Sequence, residues 1–234
     1  MKTFVLVHGT WHGGWCWQNV ASTLRNLGHT VYTPTLTGLG ERNHLMSPTI
    51  TFNTHIHDIT ELIAAEELKD ITLVGHSYGA LVNGAVAESM PDRIQKLICI
   101  DMPLLENGES FFNKLPTELQ TITLQLTRDV GHGIGVPPMP AAAMGIPDGP
   151  DAEWVNRRLT QHPLITLQHP YTLRKPFGNT IPKTFIGCVN PVLFIMNDTL
   201  PKVRQNPEWT YLELNACHDA MITAPSLLTP LLLS

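Results

Sequence analysis

The chain has no CxxC pair, no HExxH, no run of basic residues and no apolar stretch of membrane-spanning length. Each lack removes a class of function. Its four cysteines, Cys16, Cys99, Cys188 and Cys217, are widely spaced, and Cys99 and Cys188 fall inside apolar strand-like runs. Free, mostly buried thiols in a reducing cytoplasm are therefore expected, not a disulfide framework. The 11 histidines are scattered, and His55 and His57 are too close to share one helix face. Neither a metal site nor a cofactor is expected. With a formal net charge of −5 and 15% charged residues, there is no basic face for nucleic acid. The N-terminal run Phe4–Val7 is too short for a signal-peptide core and ends in His8-Gly9. Leu231-Leu232-Leu233 reads as a helix packed on the core, so no membrane partner is expected.

What is present is enough apolar material for one substantial domain: 234 residues, of which 43% are hydrophobic. Short apolar runs alternate with helical periodicity. Strands are predicted at Phe4–Val7, Thr30–Tyr32, Ile71–Val74, Leu97–Ile100, Thr184–Cys188 and Thr210–Leu214. Helices are predicted at Gln18–Leu27, Thr54–Leu68, from the end of the third strand to about Met90, and at the C-terminus. Continuous apolar strands alternating with helices imply a mostly parallel sheet covered on both faces, an α/β class. From about Leu104 to Pro182 strand signals vanish, and helical fragments mix with Pro- and Gly-rich loops such as Gly131–Pro140. So long an insertion suits a lid or binding segment. The predicted organisation is a core of residues 1–103 and 183–234 with a helical cap at 104–182.

The chemistry centres on Gly75-His76-Ser77-Tyr78-Gly79, which sits between a strand and a small-residue helix. That context makes Gly-x-Ser-x-Gly a nucleophile elbow, a tight turn that holds the serine hydroxyl in the open at a helix N-terminus. The loop His8–Trp15 after the first strand can offer a backbone N–H at Thr10. Paired with the N–H of Tyr78, it would form an oxyanion hole. Trp11, Trp15 and Trp17 read as core packing. His218 follows the last strand and can reach Ser77 as a general base.

The runs Thr35–Arg42, Leu73–Gly79 and Leu159–Leu164, with His8-Gly9 and His218-Asp219-Ala220-Met221, resemble bacterial α/β-hydrolases. The branch they are similar to is the one related to plant methylesterases and hydroxynitrile lyases. The resemblance spans nearly the whole chain and carries over Ser77, His218 and the N–H donors of Thr10 and Tyr78. In that family the triad acid follows the penultimate strand; here that segment reads Ile186-Gly187-Cys188-Val189-Asn190-Pro191, with Asn190 at the acid's place. An asparagine cannot offset the imidazolium charge formed during attack, and the equivalent change in serine proteases costs about 10⁴ in turnover. Asp198 could substitute if its loop folds back. Asp101, which ends the fourth strand as in some lipases and dehalogenases, is favoured, although it could instead anchor the segment beside Pro103.

The resemblance implies a serine esterase acting on a small, largely apolar carboxylic ester, a methyl ester among them, with a homodimer as a candidate assembly. Asn190 leaves open a slow or repurposed protein: a small-molecule receptor, a cyclase or a decarboxylase. The related lyases carry threonine after the first-strand histidine and lysine after the catalytic one. Gly9 and Asp219 stand there instead, which disfavours cyanohydrin cleavage.

Overall fold

The computed structural model describes residues 1–234. Six parallel strands form the central sheet in the order β2-β1-β3-β4-β7-β8. They are β1 (Thr3–Val7), β2 (Thr30–Tyr32), β3 (Ile71–His76), β4 (Ile94–Ile100), β7 (Lys183–Cys188) and β8 (Thr210–Leu214). Alternate residues along each strand feed opposite faces. Val5, Val7, Leu73, Leu97, Cys99 and Phe185 enter one core, while Phe4, Leu6, Val74, Ile98, Ile100 and Ile186 enter the other. The two cores hold 31 and 26 buried residues. Both faces are thus covered to a similar extent, as a parallel sheet requires.

Helix α1 (Gln18–Asn26) lies on the second face through Val20, Ala21 and Leu24, and Gly28 closes it at φ +83°. Helix α2 (Phe52–Ala65) starts at a Thr51/Thr54 capping box and turns Phe52, His55, Ile59 and Ile63 inward. It stops at Ala65, short of the expected Leu68, because Glu67 adopts φ +50°. Helix α3 (Tyr78–Ser89) is buried on almost all sides. Its small residues allow that: a Cβ on Gly84 would lie 2.3 Å from the Tyr171 hydroxyl. At the C-terminus one helix was expected and two are found, α8 (Ala220–Thr223) and α9 (Pro225–Leu233), broken at Ala224 just before Pro225.

Between β4 and β7 lie α4 (Thr117–Asp129), α5 (Pro150–Asn156) and α6 (Leu164–Gln168). The expectation that this stretch lacks strands is corrected. β5 (Gly135–Val136) and β6 (His162–Pro163) pair antiparallel, each too short and too rich in Gly and Pro to show a period in sequence. No helix of the protein is long and apolar enough to cross a membrane.

Candidate active site

The sheet's carboxyl edge gathers the site. Ser77 follows β3 and Asp101 follows β4, whose last residues His76 and Ile100 are register partners. The Ser77 N–H donates to the Ile100 carbonyl and the Asp101 N–H to that of Ile186, both at 2.9 Å. Both residues take positive φ, +49° and +48°. This is uncommon for side chains larger than glycine and marks a sharp, over-determined turn. The elbow is possible because two neighbours lack side chains. A Cβ on Gly75 would sit 2.4 Å from the Ala80 Cα, and one on Gly79 would sit 2.3 Å from the His8 carbonyl oxygen.

His218, on the loop after β8, donates from Nδ1 to Asp101 Oδ2 at 2.6 Å. The other carboxylate oxygen accepts the Cys188 N–H at 3.0 Å. Asp101 is fully buried, so both its acceptors are committed. With Nδ1 engaged, Nε2 is the ring nitrogen left for chemistry. No hydrogen bond joins Ser77 Oγ and His218 here, although both line one cavity; such contacts tighten when substrate binds. Asn190 is exposed, and its backbone N–H pairs with the Ala216 carbonyl at 3.0 Å. Asp198 is exposed at the start of α7 (Thr199–Gln205). Neither hydrogen-bonds the imidazole, whose Nδ1 partner is Asp101: the loop carrying Asp198 does not bring it back to His218, and Asn190 at the family acid's place makes no contact with the ring.

Thr10 and Tyr78 also come together beside Ser77. A Cβ on Gly9 would lie 2.7 Å from His76 Nδ1 and 3.2 Å from the Ser77 Cβ, so the Gly9-Thr10 backbone presses against the elbow. The N–H groups of Thr10 and Tyr78 have no protein acceptor. They stand as free donors at the N-terminus of α3.

Histidines that sequence reasoning left as scattered support this constellation. His8 donates from Nδ1 to the Gly9 carbonyl and accepts the Leu36 N–H at Nε2. The Tyr78 hydroxyl donates to His55 Nδ1 (2.8 Å), and His55 Nε2–H donates to the Thr37 carbonyl (2.9 Å). His162 accepts the Trp11 N–H and donates to Thr166. Burial lowers His8 to about 3 and His55 to about 4, and it lowers His76 and His162 as well. All four therefore work as neutral cross-links at neutral pH. The only sequence signals were the places of His8 and His76 in the His-Gly and Gly-His-Ser turns, of His55 on the inward face of α2, and of His162 in the Leu159–Leu164 run.

Trp17 is core, as expected, but Trp11 and Trp15 are only half-buried. Trp11 instead lines the cavity and clasps the inserted segment. Its indole N–H donates to the Val136 carbonyl (3.1 Å), and its own carbonyl accepts the Thr160 N–H (3.0 Å). The cavity, about 200 Å³, has 13 hydrophobic residues among its 20 and no side chain bearing a permanent charge. Ile122, Leu126 and Phe194 both line it and reach solvent at 49%, 43% and 38% exposure, forming an apolar mouth.

One ring nitrogen each of His76 and His218 and one oxygen of Asp219 lie within 4.8 Å of one another. For a metal this donor set is poor. His76 Nε2–H is bonded to the His218 carbonyl and His218 Nδ1 to Asp101, so each ring would have to give up its present partner or use its other nitrogen.

A parallel sheet carrying a strained serine elbow, with a histidine–aspartate pair beside it, defines the α/β-hydrolase architecture. The alpha/beta hydrolase family model matches residues 4–228, and the chain belongs to that family. It is 35% identical to the carbendazim hydrolyzing esterase of Nocardioides sp. (strain SG-4G), over 97% of this chain and 96% of that one. It is 32% identical to methylesterase 1 of Arabidopsis thaliana over 46% of this chain and 43% of the relative. Among solved structures, an extracellular α/β-hydrolase from a Paenibacillus species superposes with a TM-score of 0.87 at 25% identity, covering 100% of this chain and 98% of that one. That protein is described as sharing structural and functional homology with tobacco salicylic acid binding protein 2. The chain is an enzyme of the ester-hydrolase class.

Proposed function

We propose that the protein is a serine esterase that cleaves a small, uncharged, largely apolar carboxylic ester through an acyl-enzyme. The observation that carries this reading is the 2.6 Å contact between His218 and Asp101 on the cavity that Ser77 also lines. Ser77 Oγ attacks the ester carbonyl and its proton passes to His218 Nε2, while Asp101 balances the imidazolium. The oxyanion takes the N–H groups of Thr10 and Tyr78. Collapse breaks the C–O bond, and the leaving alkoxide takes the proton from His218. A water then gives its proton to His218 and attacks the acyl carbon, releasing the acid and restoring Ser77.

Residues 104–182 act as a cap that supplies the apolar wall, with Leu115, Leu119, Val136 and Leu167 facing the reaction centre. The absence of charged lining disfavours esters of diacids or amino acids, because an unpaired charge would have to be desolvated. The esterase and methylesterase relatives support a methyl or similarly short ester as the scissile group. The His218–Asp101 contact supports Asp101 as the acid and speaks against reading Asn190 as the mark of a degraded site.

The test is hydrolysis of p-nitrophenyl acetate together with labelling by a fluorophosphonate. Wild type should turn over and label once per chain, and Ser77→Ala should do neither. Equal rates in wild type and Ser77→Ala would overturn the proposal.

A further inference from the structure

Beneath His218 lies a group of buried ionisable side chains that the reaction as written does not use. Asp219, next in sequence, is fully buried. Its Oδ2 lies 3.2 Å from His12 Nε2 and its Oδ1 lies 3.8 Å from His76 Nε2. No well-aligned hydrogen bond reaches either oxygen, so charge is what holds this carboxylate in place. His12 donates from Nδ1 to the carbonyl of Thr10 at 2.7 Å and stacks on Trp15 at 5.2 Å between centroids. His76, the residue before Ser77, donates from Nε2 to the His218 carbonyl at 3.0 Å, and its ring packs 4.4 Å from that of His218.

The group therefore touches all three parts of the site: the carbonyl of the oxyanion-loop residue, the residue preceding the nucleophile, and the backbone of the general base. We propose that the buried His12–Asp219 pair is a positioning element for His218, tying the oxyanion loop to the histidine loop and setting by its charge balance how readily the imidazole takes a proton. This rests on the serine-esterase reading.

The charges support it. Burial pushes the Asp219 carboxyl up, but the facing His12 more than reverses this and the carboxyl is held at about 2. Burial likewise opposes charge on His12, and Asp219 overcomes it, raising His12 from the ordinary imidazole value. The other titratable groups facing the pair and His218 are Asp101 from the end of β4, His76 from the end of β3, His8 after β1, which burial keeps neutral, and the thiols of Cys16, Cys188 and Cys217. Burial raises all three thiols, so they stay uncharged. His76 is lowered by burial and stays neutral. Asp219 and His12 thus form a matched pair, and removing one member leaves the other unbalanced near the imidazole of His218.

The test follows the rate of Ser77 labelling by a fluorophosphonate against pH, in wild type, Asp219→Asn, His12→Gln and the double variant. Asp219→Asn removes the anion and should shift the acid limb of the rate to lower pH by about half a unit; His12→Gln leaves the anion unbalanced and should shift it upward by a similar amount. The double variant, which leaves no orphaned charge, should restore the limb yet label about tenfold more slowly, because the tie to Thr10 is gone. Loss of packing alone would not move two single variants in opposite directions. If the singles fail to fold, the double variant decides, and labelling within twofold of wild type overturns the proposal. Acid limbs that coincide in all variants also overturn it. Wild type that does not label refutes the serine-esterase reading itself.

Discussion

Changing Asp101 to asparagine sets two neighbours against each other. In the native site the Asp101 carboxylate accepts twice, from His218 Nδ1–H at 2.6 Å and from the Cys188 N–H at 3.0 Å. An asparagine has one acceptor and one donor in those places. If its oxygen faces Cys188, the amide N–H₂ meets His218 Nδ1 and forces the tautomer that carries its proton on Nε2, where it cannot accept from Ser77. If its oxygen faces His218, the tautomer survives, but the buried Cys188 N–H is orphaned at about 1–3 kcal/mol. In neither case is the imidazolium charge balanced. Turnover should fall by about 10⁴, or ~5.4 kcal/mol in the barrier, as when this role is altered in serine proteases. Asn190→Asp should stay within about twofold of wild type, because that side chain is exposed and does not touch His218. The assay is kcat and kcat/KM on p-nitrophenyl acetate, corrected by counting fluorophosphonate-reactive sites. A single Asp101→Asn variant that keeps a tenth of its turnover, or an Asp101→Asn/Asn190→Asp pair that recovers it, refutes the reasoning.

Two further outcomes are expected. In Gly9→Ala the new Cβ would meet His76 Nδ1 at 2.7 Å. His76 is held by the His218 carbonyl, so the loop must retreat, taking the Thr10 N–H with it; kcat should drop about tenfold or more with KM little changed, and an unchanged kcat would contradict the placement of Thr10. Stability should also fall in acid. His8 and His55, lowered to about 3 and about 4 from an ordinary 6.5, take up protons when unfolded but not when folded. The stability they contribute is full above pH 6.5 and is lost as pH falls towards those values. Between pH 7 and pH 5 each loses about 2 kcal/mol. His12, raised instead, gains stability as pH falls from 7 through 6.5 and so offsets part of this loss. Urea midpoints at pH 7 and pH 5 check this, and equal midpoints would refute it.

The sheet was legible because its strands are short, apolar and bounded by turns, as in Ile71–Val74 and Thr184–Cys188. The elbow was legible because three requirements coincide in five residues, two of them glycines that the packing does not allow to be anything else. Boundaries moved where a single positive φ intervened, as at Glu67. What stayed hidden was relation in space. Asp101 could be weighed against Asn190 and Asp198 in sequence, but only the strand order β4-β7-β8 brings its carboxylate to His218. The histidine cross-links were invisible for the same reason, since His162 and Trp11, or His12 and Asp219, are far apart in the chain. The pair β5–β6 is two residues long on each side and leaves no periodic trace.

The clasp on Trp11 restricts how this enzyme can open. Val136, Thr160 and His162 all bind the residue that directly follows Thr10. Lifting that edge of the inserted segment would therefore shift the backbone N–H of Thr10, the oxyanion donor proposed above, in the same movement. The exposed rim of the cavity lies at Ile122 and Leu126 of α4 and at Phe194. An inserted segment grafted from a relative would need matching partners for Trp11, because in this molecule the residue that lines the cavity is also the one that ties that segment to the loop carrying Thr10.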